Sequence, residues 1–269
     1  MDKKERELVF EKAKAFVNEA GQQIREKIDH PRTIETKSNA NDLVTEMDQK
    51  TEEFFAESIR DEFPEHKLFG EEGFGHDIKD LNGVVWIVDP IDGTMNFVHQ
   101  KRNFAISVGV YADGVGEIGI IYDVMQDVLY TAVRGEGAYK NEVKLAELTN
   151  QRLLVQSIIG LNTTWLIPEN PYVNHNKLLD LVKKIRSTRS YGSAALELAY
   201  IAEGVMDGYL TMSLMPWDVA AGKIIVNEVG GLVTTADGKD IDMLNRTTML
   251  ASHPRIHSEV IRNFVELKK

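Results

Sequence analysis

Trp86-Ile-Val-Asp-Pro-Ile-Asp-Gly-Thr-Met-Asn-Phe97 is the stretch on which the reading of this chain turns. The largely β-branched run Val84-Val85-Trp86-Ile87-Val88 reads as a buried strand. Pro90 has no N–H to give a sheet ladder, which predicts that the strand stops at Asp89. Two carboxylates, Asp89 and Asp92, stand at its end across a rigid Pro-Ile step, and Gly93-Thr94 opens a short helix whose first N–H groups point into the same space. Acid oxygens and anion-binding amides sit uneasily together unless a cation lies between them. A divalent metal carrying a phosphate satisfies both.

Outward from this stretch, residues 5–28 place Val9, Ala13, Phe16, Ala20, Ile24 and Ile28 at helical spacing, and His30-Pro31 ends that helix. Residues 33–36 alternate as a short strand before a polar turn at 38–41. A second helix is expected over 46–62, with Met47, Thr51, Phe54, Phe55 and Ile59 near one face and Pro64 closing it. A strand at 67–69 then delivers Gly70-Glu71-Glu72. Downstream, strands are predicted at 104–111, 116–122 and 128–133, with Asp113-Gly114 as a hairpin turn. Gly135-Glu136-Gly137-Ala138-Tyr139 lacks the further glycine and lysine of a phosphate loop and reads as a β-turn.

Near residue 147 mostly antiparallel strands give way to strands alternating with helices, beginning with a strand at 153–159. We expect a domain boundary there, giving domains 1–147 and 148–269. In the second half, helices are expected at 176–186, 193–203, 219–229 and 257–267, and strands at 209–212, 232–234 and 249–251. Asp218 stands where an N-cap would, so its carboxylate has two readings. It caps the following helix, worth about 1 kcal/mol, or it is a third metal carboxylate brought from the other domain.

Of the 269 residues, 43% are apolar, enough for a sizeable core. The formal net charge of −11 argues against nucleic acid or an anionic membrane as a partner. The absence of cysteine excludes disulfides, thiolate metal sites and a cysteine nucleophile. With no signal-like apolar run at its charged N-terminus, the chain reads as soluble and cytoplasmic. His253 and His257 have zinc-pair spacing, but Pro254 between them speaks against a shared helical face. His99 reads as a structural histidine, with a proton relay as the alternative, Glu72 as exposed or supporting Glu71, and Met206, Met212 and Met215 as core filling. Lys37 either neutralises the acidic cluster or a substrate charge, or is a solvated surface lysine.

Four segments, Asn41-Asp-Leu-Val-Thr-Glu-Met-Asp48, Gly70-Glu71-Glu72, Asp89-Pro-Ile-Asp-Gly-Thr94 and Trp217-Asp218-Val-Ala-Ala-Gly222, together resemble the motifs of the inositol monophosphatase family, in the expected order over nearly the whole chain. This is the lithium-sensitive, magnesium-dependent phosphatase superfamily, and the likeness is to its bacterial-type members. The resemblance implies a mixed α/β fold, a layered αβαβα sandwich of the inositol monophosphatase and fructose bisphosphatase type, often a homodimer. It implies a first Mg²⁺ on Glu71, Asp89 and the Ile91 carbonyl, a second on Asp89, Asp92 and Asp218, and a weaker third on Glu71. It makes Asp218 a ligand rather than a cap alone. Thr94, paired with Asp48, would orient the attacking water, and the Gly93 and Thr94 amides would hold phosphate.

On the alcohol side the resemblance points to Asp92, Gly192, Ser193 and Ala194. Inositol-specific members carry a glutamate seven residues before the Asp218 position, where this chain has Thr211, shorter and uncharged. The substrate class implied is a small phosphorylated metabolite. It is inositol 1-phosphate or a related sugar or nucleotide phosphate, with fructose 1,6-bisphosphate and the 2′-phosphate of NADP as alternatives. A metal-binding regulatory or scaffold protein with vestigial activity is the reading from another class.

Overall fold

The computed structural model describes residues 1–30, 34–36, 43–149 and 151–268. Lys37 and the Asn41-Asp42 part of the early motif lie outside the described residues.

Helix α1 (Lys3–Lys27) starts on Asp2, whose side chain accepts the Glu5 amide at 2.9 Å. An antiparallel ribbon of β1 (Ile34–Thr36) and β2 (Leu43–Thr45) runs directly into α2 (Glu46–Glu62). There follow β3 (Lys67–Gly70), β4 (Val84–Asp92), α3 (Thr94–Gln100), β5 (Ala105–Ala112), β6 (Val115–Asp123), β7 (Val128–Val133), β8 (Gly137–Lys140) and β9 (Val143–Lys144). These strands form one seven-stranded sheet in sequence order, antiparallel except for β3 beside β4. The second half supplies β10 (Ile158–Gly160), α4 (His175–Lys184), β11 (Ser187–Arg189), α5 (Ala194–Glu203), β12 (Gly208–Leu214), α6 (Pro216–Glu228), β13 (Leu232–Thr234), β14 (Thr247–Ser252) and α7 (Pro254–Phe264). Its sheet has the order β11-β10-β12-β14-β13.

Strand alternation sets the layers. Trp86 and Val88 of β4, with Ile106, Val108, Val110, Ile118 and Ile120, pack under α1 and α2. Val85 and Ile87 turn the other way, onto α5 and α6, whose far side meets Tyr209, Met249 and Ala251 of the second sheet. Leu210, Met212 and Leu250 point outward again to Leu178 and Leu181 of α4 and Ile256 and Val260 of α7. Side-chain period two thus converts two sheets into five layers, helix, sheet, helix, sheet, helix.

Several expected boundaries move, each for a local reason. Strand β4 does not stop at Asp89. It continues to Asp92 through a bulge in which Pro90 and Ile91 together oppose Ile106, because Asp89 pairs with Ser107 and Asp92 with Ala105. Residues 153–159 are not one strand; a 3₁₀ turn at Leu154–Gln156 precedes the short β10. Both α6 and α7 begin three residues before expectation, with Pro216 and Pro254 in their first turns, where a missing N–H costs nothing. The hairpin forms as predicted, with positive φ at both Asp113 (48°) and Gly114 (79°). The Gly135 turn does bind an anion, the protein's own Glu228, whose carboxylate takes the Gly135 and Gly137 amides at 2.9 Å each.

α6 lies unusually close to the first sheet because the strands beneath it carry glycine. A Cβ on Gly109 would come within 2.8 Å of the Ala220 Cβ and 2.9 Å of its carbonyl carbon, and one on Gly119 within 2.6 Å of the Ala221 carbonyl oxygen. Two hydroxyls of β5 fasten the helix there: Ser107 Oγ donates to the Trp217 carbonyl at 3.2 Å and the Tyr111 hydroxyl to that of Ala220 at 3.0 Å. Gly109→Ala is therefore expected to cost about 1–3 kcal/mol by overpacking, read as a lower urea midpoint.

Candidate active site

The bulge in β4 decides where the two central carboxylates point. In a regular strand, residues three apart face opposite sides; the extra residue lets Asp89 and Asp92 both face α5 and α6. The start of α6, drawn against β5, brings in the third. Oxygens of Asp89, Asp92 and Asp218 lie within 4.8 Å of one another, the one such acidic group with metal-ligand spacing among the described residues. Asp89 and Asp92 are buried, 1% and 6% exposed.

Each carboxylate is held by one oxygen. Asp89 Oδ1 accepts the Ile91 amide at 3.0 Å, closing the turn over Pro90. Asp92 Oδ2 accepts the Ser193 hydroxyl and, at 2.7 Å, the Ala195 amide, which ties β4 to the first turn of α5. Asp218 is not the N-cap of α6. It is the third helical residue and reaches back so that its Oδ2 accepts the Met215 amide at 2.7 Å. The Asp218 carboxylate thus takes part both in the capping box of α6 and in the cluster.

Electrostatics mark the cluster as incomplete. Burial, then the charge of Glu71 and those of Asp92, Asp218 and Asp48, drives the Asp89 carboxyl well above the ordinary carboxylate range. Burial and the Asp92 charge do the same to Asp218, against the Met215 amide and the positive charge of Arg246. Asp92 is pushed up to about 6, mainly by burial and against its hydrogen bonds. Buried acids that repel one another, all hard oxygen donors, fit a divalent cation of the Mg²⁺ type. Glu71 borders the trio rather than joining it, and its charge acts on Asp48, Asp89, Asp92 and Asp218.

Beside the trio, Gly93 (φ 97°) caps the start of α3. The Thr94 hydroxyl lies 3.2 Å from Asp48 Oδ1 and 3.2 Å from the Ile91 carbonyl, so its single proton serves one of them at a time. Asp48 belongs to a capping box at the head of α2, where its Oδ2 accepts the Thr45 amide at 2.9 Å and hydroxyl at 2.5 Å. Burial above all raises its carboxyl to about 6.

A cavity of about 190 Å³ borders Asp92 and Asp218, lined also by Asn162, Ser190, Gly192, Ser193, Ala194, Glu197, Tyr209 and Leu214. Thr211 is buried on β12 within hydrogen-bond reach of Tyr209 and does not line this cavity. Larger grooves of about 880 and 620 Å³ run along α1 past Tyr122 and Asp127, without the cluster carboxylates. Chemistry, not volume, identifies the site.

Three residues unread in the sequence hold these loops. Glu52, one helical turn after Asp48, accepts the Glu72 amide at 2.6 Å and that of Phe74 at 2.9 Å. Glu197 accepts the Tyr191 amide at 2.8 Å, and Asn96 donates to the Tyr191 carbonyl at 2.7 Å and that of Asn103 at 2.8 Å. The i, i+4 spacing of Glu52 from Asp48 was the one local signal for any of them. The histidine pair is no metal site. His257 is bracketed by Ser252 and Thr234 hydroxyls at 3.0 and 2.9 Å, and the His253 ring lies 3.3 Å from the Thr149 carbonyl. His99 is exposed, and Glu72 is half-buried beside the loop.

Comparison with known proteins converges on one family. The model of the inositol monophosphatase family matches residues 5–269. The chain is 51% identical over 261 residues to inositol-1-monophosphatase of Bacillus subtilis (strain 168), covering 97% of this chain and 98% of that one. The structure of inositol monophosphatase-II from Staphylococcus aureus MSSA476 superposes with a TM-score of 0.87 at 41% identity, 96% of each chain covered. An IMPase/NADP phosphatase complexed with Mg²⁺ and phosphate gives 0.87 at 29% identity, over 96% of this chain and 95% of that one. With motifs, layers and carboxylate trio in agreement, this chain belongs to the inositol monophosphatase family.

Proposed function

We propose that the chain hydrolyses small phosphate monoesters with Mg²⁺ as cofactor, taking inositol 1-phosphate or a related sugar or nucleotide phosphate. The observation that carries this is the convergence of Asp89, Asp92 and Asp218 from β4 and α6 on one point. Glu71, Asp89, the Ile91 carbonyl, Asp92 and Asp218 are the groups that would hold two or three ions. Mg²⁺ bound there supplies an activated water and neutralises charge on the phosphoryl and leaving oxygens. Thr94 orients the attacking water with its hydroxyl and hands the proton toward Asp48, whose raised carboxyl, at about 6, suits a base near neutral pH. The Gly93 and Thr94 amides at the head of α3 hold phosphate oxygens. Gly192, Ser193, Ala194 and Asp92 face the alcohol, and Thr211 behind Tyr209 contributes no charge there.

Substrate breadth is supported by relatives rather than by one residue. Structures of SaIMPase-II hold inositol monophosphate and 2′AMP, at 40% and 41% identity to this chain. The IMPase/NADP phosphatase has also been solved with NADP and Ca²⁺. Lithium inhibition is part of the reading, since a staphylococcal inositol monophosphatase-1 was obtained as a LiCl-soaked inhibitory complex. A second reading, a regulatory protein with vestigial chemistry, draws on a 34% identical relative named Nus factor SuhB in Escherichia coli (strain K12). Chemically competent side chains at Asp48, Glu71, Asp89, Asp92, Thr94 and Asp218 favour the enzyme. No helix among the described residues is long and apolar enough to cross a membrane. A cytoplasmic homodimer, with the change of sheet near residue 147 as domain boundary, completes the reading.

Phosphate release should require Mg²⁺ when inositol 1-phosphate, fructose 1,6-bisphosphate, adenosine 3′,5′-bisphosphate and NADP are offered in turn. Release from none of them would shift weight to the regulatory reading. Asp92→Asn is expected to abolish release without lowering the melting temperature, because it removes one of several repelling charges. Thr94→Ala and Asp48→Asn should each cut kcat by roughly 10²–10⁴-fold.

Stability should depend on pH in a defined sense. Asp48 and Asp92 rise from 3.8 to about 6 on folding, so the folded chain holds their protons more tightly. Their stabilising contribution is complete below pH 3.8 and is lost as pH rises through about 6. Calorimetry in EDTA should therefore show a lower melting temperature at about pH 7.5 than at about pH 5, with added Mg²⁺ raising the former more.

A further inference from the structure

Glu52 has no exposed surface, yet it is aimed at backbone. Its carboxylate accepts the Glu72 and Phe74 amides, and the Gly73 amide also favours its charged form. A Cβ on Gly70 would come within 2.4–2.5 Å of that carboxylate, so glycine is what lets β3 end directly against it. Glu71 is therefore the residue between two fixed points: Gly70, pressed on the Glu52 carboxylate, and Glu72, whose amide that carboxylate holds. Burying a carboxylate is costly unless it is well hydrogen-bonded, and a hydrophobic residue would fill this side of α2 more cheaply. The loop itself is short and at the surface, with Phe74 44% exposed, so its own core contacts do not fix its course. One helix thus sets two functional groups, Thr94 through Asp48 and Glu71 through Glu52, four residues apart on the same face.

We propose that Glu52 is a positioning residue for the divalent-cation site, clamping residues 70–74 so that the Glu71 carboxylate is held toward Asp89. This rests on the metal reading given above. Partners that orient a metal ligand typically change affinity about 10–100-fold when removed. The test is calorimetric titration of Mg²⁺ into the metal-free full chain, native, Glu52→Gln and Asp89→Asn, with the Mg²⁺ dependence of phosphate release measured alongside. Glu52→Gln should weaken Mg²⁺ binding by about 10–100-fold and raise the Mg²⁺ concentration for half-maximal activity in parallel, with most of kcat recovered at saturating Mg²⁺. Should Glu52→Gln fail to fold, Glu52→Asp carries the same test, since it keeps the charge but is one methylene too short to reach both amides. Unchanged Mg²⁺ affinity in a folded variant, even with a lowered melting temperature, would overturn the proposal and leave Glu52 a loop-stability residue. No Mg²⁺ binding by the native chain, or native-like binding by Asp89→Asn, would instead overturn the metal reading and this inference with it.

Discussion

Three carboxylates whose oxygens approach within 4.8 Å, two of them buried, oppose folding rather than drive it. The rest of the structure compensates by packing two sheets and three helix layers around them. Each acid is fixed through one oxygen by a backbone amide, of Ile91, Ala195 or Met215, which orients it without neutralising it. The repulsion is thereby stored in a rigid frame. A site of this kind need reorganise little to receive a cation.

The frame depends on two departures from regular geometry. One is the bulge at Pro90 and Ile91, without which Asp92 would turn toward α1 and α2 and leave the site. The other is the approach of α6 to the glycines of β5 and β6, which brings Asp218 to β4 across the layer boundary. Ser107 links the two. It pairs with Asp89 in the sheet register and donates to the carbonyl beside Asp218. The site is thus assembled where the first sheet meets the central helices, and its geometry is as stiff as their packing.

Much of this was legible in the residues. The unbroken, largely β-branched run at residues 84–88, the Asp113-Gly114 turn and the ordered acidic motifs predicted a strand, a hairpin and ligand candidates, because each is a local signal. What escaped is tertiary. Pro90 reads locally as a strand end, and only the pairing of Asp92 with Ala105 reveals a bulge. Asp218 reads locally as a cap because the turn of Pro216 into the helix was not anticipated. Glu52, Glu197 and Asn96 look like ordinary polar residues of helices. Glu52 reaches Glu72 and Phe74, 20 and 22 residues away, and Asn96 reaches Tyr191, 95 away; the nearer partners, Tyr191 for Glu197 and Asn103 for Asn96, lie 6 and 7 residues away across loops with no periodic pattern to mark them.

The cavity beside the trio has an asymmetric ancestry within the chain. Apart from Asp92, everything lining it comes from residue 162 onward, while Asp48, Glu71, Asp89 and Thr94 all come from the first hundred residues. On the function proposed above, most of the catalytic groups and most of the cavity lining are therefore written in different stretches of sequence, with Asp92 and Asp218 shared by both. On that reading, substitutions at Asn162, Ser190 or Tyr209 would reshape which alcohol is accepted without disturbing the bond-breaking groups. A lineage built this way can trade one phosphorylated metabolite for another in small steps, keeping a working hydrolase at every stage.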